Sequence, residues 1–272
     1  MIDMLLVVKM GGSILKEGAS TELVSDLKAL FAEHRVVLVH GGGAEVTETA
    51  AKLGKQQAFI VSPQGFRSRY TDKETIEIFT MVMAGKINKQ IVLALQSQGM
   101  PALGLSGIDG ALLKAKRKKR LIAVDEKGRK RVIDGGYTGK LKEANAALLN
   151  SLLKQGYLPI VTPIAISEEF EPLNVDGDRT AAFIAGVLKA DRLILLTDVQ
   201  SLILKGNKIS KINASEISKA LYNIGQGMST KVHAALAALN QGVGEVLITS
   251  GLEKAPISSA LKHECGTVIS SE

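Results

Sequence analysis

Short apolar runs alternate with longer segments of helical periodicity along this chain. The first run is Met4 to Val8, and the second, Arg35 to Val39, is followed by glycines and a helix that begins near Ala44. An amphipathic helix is predicted between them, from Thr21 to Ala32. The same rhythm recurs at Ala102 to Leu105, Leu158 to Val161, Leu193 to Leu196 and Glu245 to Ile248.

This alternation predicts an α/β fold, with a mainly parallel sheet covered by helices on both faces. One segment departs from it: Lys114 to Arg131 has two basic or alternating runs around a turn signal at Asp125 to Gly128, which predicts an inserted antiparallel β-hairpin. A boundary between two lobes, residues 1–172 and 173–272, is predicted near Pro172, because a new strand–helix series begins there.

Composition narrows the class of protein. With 272 residues, 46% of them hydrophobic and 22% charged, the chain has the balance of a folded globule, which excludes a disordered protein. The single cysteine, Cys265, excludes a disulfide framework, and four scattered histidines show no metal-ligand spacing, so no metal site is predicted. The first apolar run is too short for a signal sequence or a membrane span, and a cytoplasmic protein is expected.

Positive charge is concentrated in the hairpin segment. The chain has a formal charge of +7, whereas ten bases and two acids between Lys114 and Arg131 give that window +8, so the remainder is close to neutral. Such an arm predicts an anionic partner: nucleic acid, an anionic membrane or an acidic protein. The segment holds no aromatic residue to stack on bases, and a solvated hairpin whose charges serve solubility remains an alternative.

Glycine turns after the strands are the candidate chemical sites, since ligands of open α/β sheets bind beyond the carboxyl ends of the strands. Lys231 stands near a helix start, which is an unfavourable place for a cation unless a bound anion lies between the lysine and the helix N-terminus. His40 fits a strand-end residue with local hydrogen bonds better than an acid or base, and Asp178 fits either a helix cap or a functional carboxylate. Four segments combine glycine with polar residues: Lys9 to Ser13, His40 to Gly43, Asn174 to Thr180 and Gly227 to Lys231.

Standard nucleotide-binding motifs are missing. The chain has no Gly-x-x-x-x-Gly-Lys-Ser/Thr segment, and Gly41-x-Gly43 lacks the third glycine of a dinucleotide fingerprint because Val46 stands there. Protein-kinase signatures are also absent. The candidate turns therefore do not belong to those classes of site.

Taken together, and in this order, the four segments resemble the amino-acid kinase family, in particular its acetylglutamate kinase branch. The resemblance covers nearly the whole chain and includes Gly135 to Gly139, Leu195 to Val199 and Gly266-Thr267. It implies a three-layer αβα sandwich of the carbamate kinase type, with an N-terminal amino-acid lobe and a C-terminal nucleotide lobe. It also implies a homodimer that transfers a phosphoryl group from MgATP to a carboxylate.

Within that family, Ser62 to Thr71 and the basic hairpin resemble kinases that act on amino acids attached to a small acidic LysW-type carrier protein, in lysine and arginine biosynthesis. Acetylglutamate kinases usually have a plainer Gly-x-Arg-Val-Thr, whereas this chain has two arginines and Tyr70 there. Either Arg67 or Arg69 then meets the substrate α-carboxylate, and Arg69 matches better by its distance to Thr71. The choice between α-aminoadipate and glutamate stays open.

The resemblance also assigns roles. Lys9 and Lys231 are expected to neutralise the transferring phosphoryl group, with Asp178 orienting both lysines. Substrate binding is assigned to Gly41, Gly42, Arg67, Arg69 and Asn174. Nucleotide binding is assigned to Gly11, Gly12, Ser13, Thr197, Asp198, Leu202, Gly227 and Met228. Carrier docking is assigned to Lys116, Arg117, Lys118, Lys119 and Arg120.

The expected chemistry needs no general base. A carboxylate substrate with a pKa of about 4.3 is already ionised at neutral pH, so positioning and positive charge are what the protein must supply. Mg²⁺ is expected to be held by ATP oxygens and water. Two alternatives remain: an N-acetylglutamate kinase acting on the free substrate, and a nucleotide-sensing or nucleic-acid-binding protein on the same scaffold.

Overall fold

Alternating strands and helices run through the computed structural model, which describes residues 3–15 and 19–271. In chain order the elements are β1 (Leu5–Met10), a 3₁₀ turn (Gly12–Leu15), α1 (Thr21–Phe31), β2 (Arg35–His40), α2 (Gly43–Lys52), β3 (Phe59–Val61), β4 (Arg67–Arg69), α3 (Lys73–Thr80), a π-helical segment (Met81–Ile87), α4 (Asn88–Gln96), β5 (Ala102–Ser106), a 3₁₀ turn (Asp109–Ala111), β6 (Leu113–Arg117), β7 (Arg120–Val124), β8 (Lys130–Asp134), β9 (Gly139–Ala144), α5 (Ala146–Lys154), β10 (Leu158–Thr162), β11 (Ile164–Ile166), β12 (Pro172–Asn174), α6 (Gly177–Leu188), β13 (Arg192–Thr197), β14 (Leu202–Leu204), β15 (Asn207–Ile209), β16 (Lys211–Asn213), α7 (Ala214–Ala220), a 3₁₀ turn (Leu221–Asn223), α8 (Gln226–Leu239), β17 (Glu245–Ser250), α9 (Pro256–Leu261) and β18 (Thr267–Ser270).

The central sheet has eight strands in the order β16-β18-β17-β13-β1-β2-β10-β5. Its neighbours pair in parallel, except that β18 runs antiparallel to β17. All six strands predicted from the apolar runs lie in this sheet, and each differs from its prediction by one or two residues at one or both ends. The predicted mainly parallel sheet is therefore confirmed.

The sheet is buried on both faces because successive side chains of each strand point in opposite directions. In β1, Val7 packs into one cluster with α5, α6 and α8. Its neighbours Leu6 and Val8 pack into a second cluster with α1, α2, the helix Lys73–Gln96 and α9. Both clusters consist of buried, mainly aliphatic side chains, so the predicted helix–sheet–helix layering is confirmed.

The segment Lys73–Gln96 is one continuous helix with a π-helical stretch in its middle. It is long and apolar enough to cross a membrane by length and composition alone. Its buried side, which includes Ile76, Met83 and Leu95, packs against the sheet as part of the second cluster. This burial is that of an amphipathic core helix.

The basic hairpin is shorter than predicted. Strands β7 and β8 pair antiparallel around Asp125 to Gly128, but Lys114 to Arg117 belong to β6, which pairs with β9 in a different sheet of order β12-β11-β6-β9. The reason is burial: Leu113 and Ala115 alternate with exposed lysines and are covered in the first cluster. The hairpin β7–β8 joins β3 and β4 in a sheet of order β4-β3-β7-β8.

Candidate active site

Two glycine turns and one strand end meet at the carboxyl edge of the central sheet. The N–H of Gly11 donates to Leu196 O at 3.1 Å, and the N–H of Gly41 donates to Met10 O at 2.8 Å. A Cβ on Gly12 would lie 2.9 Å from the Gly42 nitrogen, so the turns after β1 and β2 touch backbone to backbone. Only glycine allows this approach, which leaves backbone amides at one edge of the cleft.

Lys9 and Lys231 are joined by Asp178. Lys9 Nζ lies 2.8 Å from Asp178 Oδ1, and Lys231 Nζ lies 3.1 Å from Asp178 Oδ2. The fold dictates this meeting, because Lys9 follows Val7 on the face of β1 that α6 covers, and Asp178 stands in the first turn of α6. The three residues assigned a catalytic role are thus brought together.

Helix ends decide which groups are free for chemistry here. The N-cap of α6 is Asp176, whose side chain accepts from the Arg179 N–H at 2.8 Å, so Asp178 is not the cap. Helix α8 begins at Gln226, further from Lys231 than the sequence suggested, which places Lys231 in its second turn. Helical side chains lean toward the N-terminus, so Lys231 reaches back to the cleft.

The electrostatics of the triad favour an ionised carboxylate. Burial alone would raise the pKa of Asp178, but the ammonium groups of Lys9 and Lys231 hold it below its ordinary value. Lys9 and Asp178 are both buried, at 7% and 6% exposure. Two cations on one anion leave a net positive charge, which suits a site for a polyanion.

His40 is a buried neighbour of this site. Its Nε2 lies 2.8 Å from Thr162 Oγ1 and 3.3 Å from Asn88 Nδ2, and its Nδ1 lies 3.0 Å from Gly41 O. The carbonyl can only accept, which assigns the proton to Nδ1 and leaves Nε2 as the acceptor. Burial lowers the pKa of His40 to about 4. The histidine is thus a neutral, locally bonded strand-end residue.

Arg69 lies over the first turn of α2, next to the glycine turn. It donates to Gly43 O at 2.7 Å, to Thr47 Oγ1 at 2.9 Å and to Gln57 Oε1 at 2.5 Å. A cation at the positive end of a helix dipole is unfavourable, so this placement favours an anion beside it. Arg67 is exposed and stacks on Phe59, with its guanidinium carbon 3.8 Å from the ring centroid.

The loop between β3 and β4 reaches across to α8. The rings of Phe66 and His233 meet edge to face, with centroids 5.3 Å apart. On the same side of the cleft, Asn174 Nδ2 donates to Thr71 Oγ1 at 3.0 Å. The β3–β4 loop thus contacts the helix that carries Lys231, and Asn174 lies just before α6, the helix that carries Asp178.

The candidate nucleotide residues follow β13 and open α8. Thr197 ends β13 and donates to Asp198 Oδ1 at 3.1 Å, while Gly227 and Ser13 are exposed and Met228 is half-buried. The prediction that the Leu202 side chain contacts the nucleotide needs a correction. Leu202 starts the β14–β15 hairpin, is fully buried, and its N–H donates to Thr267 Oγ1 at 2.9 Å. Its side chain belongs to the core.

The basic residues assigned to docking differ in their surroundings. Arg117 is held within the protein: it is paired with Glu171 at 2.8 Å, donates to Gly136 O at 2.7 Å and stacks on Tyr137. Lys118 is half-buried, and that burial, with Arg179 and Lys140 nearby, lowers its pKa. The exposed members, without an ion pair to any described residue, are Lys116, Lys119 and Arg120.

The described residues offer no carboxylate or imidazole cage. Within residues 3–15 and 19–271, no group of three or more His, Cys, Asp or Glu side chains is arranged to hold a metal ion. The cations and glycine amides of the cleft instead fit a phosphate chain.

The fold and this lysine–aspartate–lysine site define an amino-acid kinase. The chain belongs to the amino acid kinase family, whose sequence profile matches residues 4–250. A LysW-aminoadipate/LysW-glutamate kinase from Saccharolobus solfataricus is 43% identical over 266 residues, which are 97% of this chain and 99% of that protein. A protein from Nitrosopumilus maritimus, provisionally given the same name, is 48% identical over 268 residues, 98% of this chain and 100% of its own. The family and these names make the chain a phosphotransferase that uses ATP.

Solved structures agree on the fold. The N-acetylglutamate synthase of Neisseria gonorrhoeae, complexed with coenzyme A and N-acetyl-glutamate, has a TM-score of 0.82 and 23% identity over 99% of this chain and 60% of that one. Carbamate kinase of Giardia has a TM-score of 0.68 and 17% identity over the whole of both chains. The predicted carbamate kinase-like architecture is confirmed.

Several residues of the site were not found by sequence reasoning. Thr47 and Gln57 fix Arg69, and Asn88 with Thr162 fixes His40. All are common polar residues without a motif, and tertiary contact alone brings them to the cleft. The one available signal was the position of Thr162 at a strand end.

Proposed function

We propose that this kinase phosphorylates the side-chain carboxylate of α-aminoadipate or glutamate attached to a small acidic LysW-type carrier protein, forming an acyl phosphate. The observation that carries the proposal is the contact of Lys9 and Lys231 with the one carboxylate of Asp178. The names of the relatives support the carrier-linked substrate. The same reaction on free N-acetylglutamate is the second candidate.

The reaction forms a bond between a substrate carboxylate oxygen and the γ-phosphorus, and breaks the bond from that phosphorus to the β,γ-bridging oxygen. The nucleophile carries its own charge, so no residue has to remove a proton. The work of the protein is to bring two anions together and to stabilise the charge of the transition state. Lys9 and Lys231 do this, and Asp178 keeps both ammonium groups in place without cancelling their charge.

Substrate and nucleotide would occupy the two sides of this triad. The glycine turns of Gly41 and Gly42, with Arg69 and Asn174, would hold the amino acid, and Arg67 lies further out on the β3–β4 hairpin. Gly11, Gly12, Ser13 and the segment that follows β13 would hold the nucleotide, with Gly227 and Met228 at the start of α8. We propose the same division for the lobes, residues 1–172 and 173–272.

Mg²⁺ fits this site as a companion of the nucleotide. The described residues provide no cage for it, and Mg²⁺ commonly keeps water ligands and phosphate oxygens. When bound, it would neutralise phosphate charge that Lys9 and Lys231 do not reach. A homodimer stays a prediction from the resemblance, and a cytoplasmic location stays a prediction from the short first apolar run.

The exposed basic residues next to the cleft would steer an acidic carrier toward it. Thr138 pairs with Asn174 as an isolated bridge, and the Lys118 N–H donates to Thr138 O at 2.9 Å, so Thr138 connects the backbone of the basic segment to that of a candidate substrate residue. A positive surface beside the cleft raises the association rate of an acidic partner and makes that rate dependent on salt.

One coupled assay tests the proposal. ADP release is measured with purified carrier loaded with α-aminoadipate, with carrier loaded with glutamate, and with free N-acetylglutamate. We expect kcat/KM on at least one carrier-linked substrate to exceed that on N-acetylglutamate at least a hundredfold. Equal or higher kcat/KM on the free substrate would replace the proposal with its alternative, and nucleic-acid binding without ATP turnover would reject both.

A further inference from the structure

The small sheet β4-β3-β7-β8 has an apolar face that is open to solvent. In this sheet Val61 pairs with Val124, and Ile122 pairs with Val132. Side chains of directly paired residues lie on one face, as do those of alternate residues along a strand. The open face, as we call it, therefore consists of Phe59, Val61, Ile122, Val124 and Val132.

The exposure of this face is unusual for residues of this type. Val132 is 65% exposed, Ile122 is 50% exposed and Phe59 is 37% exposed. On the opposite face of the same sheet, Leu121 and Ile133 are half-buried. Clustered apolar side chains on an exposed sheet face mark an interaction surface more often than isolated ones do.

Cations surround the open face. The strand register places Arg69 opposite Phe59, Arg67 opposite Val61 and Lys130 opposite Val124. Arg120, on the same face, stands opposite Asp134, the one acid that the pairings place there. An apolar centre with a charged rim has the composition of a protein–protein interface, and a positive rim selects an acidic partner.

The open face also leads into the active site. Arg69 stands at its edge on β4 and donates to Gly43 O at the glycine turn. A protein seated on this face would therefore have its substrate-bearing end beside that turn. We propose that the open face is the docking surface for the acidic carrier protein, with Ile122 and Val132 as its apolar anchor.

This proposal rests on the proposed function and adds to it a contact that is independent of charge. Electrostatic steering acts at a distance and weakens with salt, whereas burial of apolar side chains acts on contact and does not weaken with salt. The apolar and the charged residues should therefore have separable effects on carrier binding.

The test uses Ile122→Thr, Val132→Thr and the double variant. Threonine keeps the β-branch that suits a strand and removes apolar surface. The matched control is Leu53→Thr, since Leu53 is 59% exposed at the far end of α2 from the glycine turn. KM and kcat are measured for the loaded carrier and for ATP over a range of salt, and binding of the unloaded carrier is measured by calorimetry.

We expect the double variant to raise KM for the loaded carrier and Kd for the unloaded carrier by roughly ten- to hundredfold. The kcat, the KM for ATP and the slope of log KM against log salt should match the wild type, as should all constants of Leu53→Thr. If both single variants and the double variant stay within twofold of wild type in KM and Kd, the docking surface lies elsewhere.

Two other outcomes distinguish a failure of the proposed function from a failure of the docking surface alone. A wild-type enzyme that prefers free N-acetylglutamate would overturn the proposed function itself. A double variant with unchanged KM but a smaller mass in light scattering would assign the open face to a second copy of this chain, which also overturns the carrier proposal.

Discussion

Lys9, from the central strand β1, and Lys231, from helix α8, contact opposite oxygens of one carboxylate at 2.8 Å and 3.1 Å. Their attachment points lie 222 positions apart in sequence, and the parallel sheet brings them together. Like charges at this separation repel, and Asp178 offsets the repulsion only in part. The pair is therefore preorganised for an anion carrying more than one charge.

The first prediction concerns these two ammonium groups. Lys9→Ala and Lys231→Ala should each lower kcat by roughly 10²- to 10³-fold, because each removes one preorganised positive group from the transition state. Steady-state kinetics with saturating ATP measures this loss. The control is Lys28→Ala on the exposed side of α1, which should leave kcat unchanged. Losses below tenfold for both site variants would show that neither lysine stabilises the transition state of the reaction.

The second prediction concerns Asp178 and stability. Asp178→Asn leaves the Lys9 ammonium buried without its counter-charge, so the free energy of unfolding should fall by about 3–5 kcal/mol. Urea unfolding at pH 7 measures the change. Adding Lys9→Met removes the more deeply buried of the two stranded ammonium groups, so the double variant should recover part of the lost stability while kcat stays low. A double variant less stable than Asp178→Asn alone would contradict this account.

The third prediction separates the neighbouring basic residues. Lys119→Glu with Arg120→Glu should raise KM for the loaded carrier and flatten its salt dependence, because both side chains are exposed without an ion pair to a described residue. Arg117→Ala should instead lower stability, because it leaves Glu171 and Gly136 O without their partner. Kinetics at two salt concentrations and thermal unfolding measure the two effects. A carrier KM unchanged by the double reversal would leave these charges a role in solubility only.

The fourth prediction distinguishes the two arginines of β4. Arg69→Lys should raise KM for every amino-acid substrate, loaded or free, because a lysine cannot keep three donors aimed at Gly43, Thr47 and Gln57 while meeting a carboxylate. Arg67→Lys should change KM for the loaded carrier alone, since Arg67 is exposed on the outer side of Phe59. The reverse order of effects would assign the substrate carboxylate to Arg67.

The central sheet could be predicted from the sequence because its strands are buried on both faces. A short run rich in β-branched residues, such as RVVLV, favours a buried strand, and the glycines after it indicate where the strand ends. The triad could be expected only from the resemblance of the four glycine and polar segments to the amino-acid kinases, since Lys231 lies in the second turn of α8 and not beside its start. The extent of the basic hairpin could not, because Lys114 to Arg117 alternate as any strand would, and only the burial of Leu113 and Ala115 decides which sheet they join.

The roles of single side chains were less predictable. Leu202 follows a strand end as a nucleotide contact would, yet its side chain fills the core, and Arg117 has the same charge as its neighbours yet is held by Glu171. Both outcomes depend on partners distant in sequence. Periodicity carries no information about such pairs, whereas it fixes the buried faces well.

The last prediction concerns His40 and acid stability. Burial lowers its pKa to about 4, against an ordinary value of about 6.5, so the folded protein keeps it neutral where the unfolded chain is protonated. The stabilisation is complete above pH 6.5 and is lost as the pH falls toward 4, by roughly 3 kcal/mol in total. The charges that face it, Lys9 and Lys89, act in the same direction. The carboxylate of Asp178 has a lowered pKa and contributes to acid unfolding only below about pH 4.

Urea unfolding from pH 7 to pH 4.5 tests this account, because the slope with pH reports the proton taken up on unfolding. His40→Gln removes the titrating ring, so its unfolding free energy should change less over this range than that of the wild type, whatever its absolute stability. Parallel curves for the wild type and His40→Gln would mean that the ring is protonated in the folded protein as readily as in the unfolded chain. The hydrogen bonds from Thr162 and Asn88 to Nε2 would then be broken at mildly acidic pH.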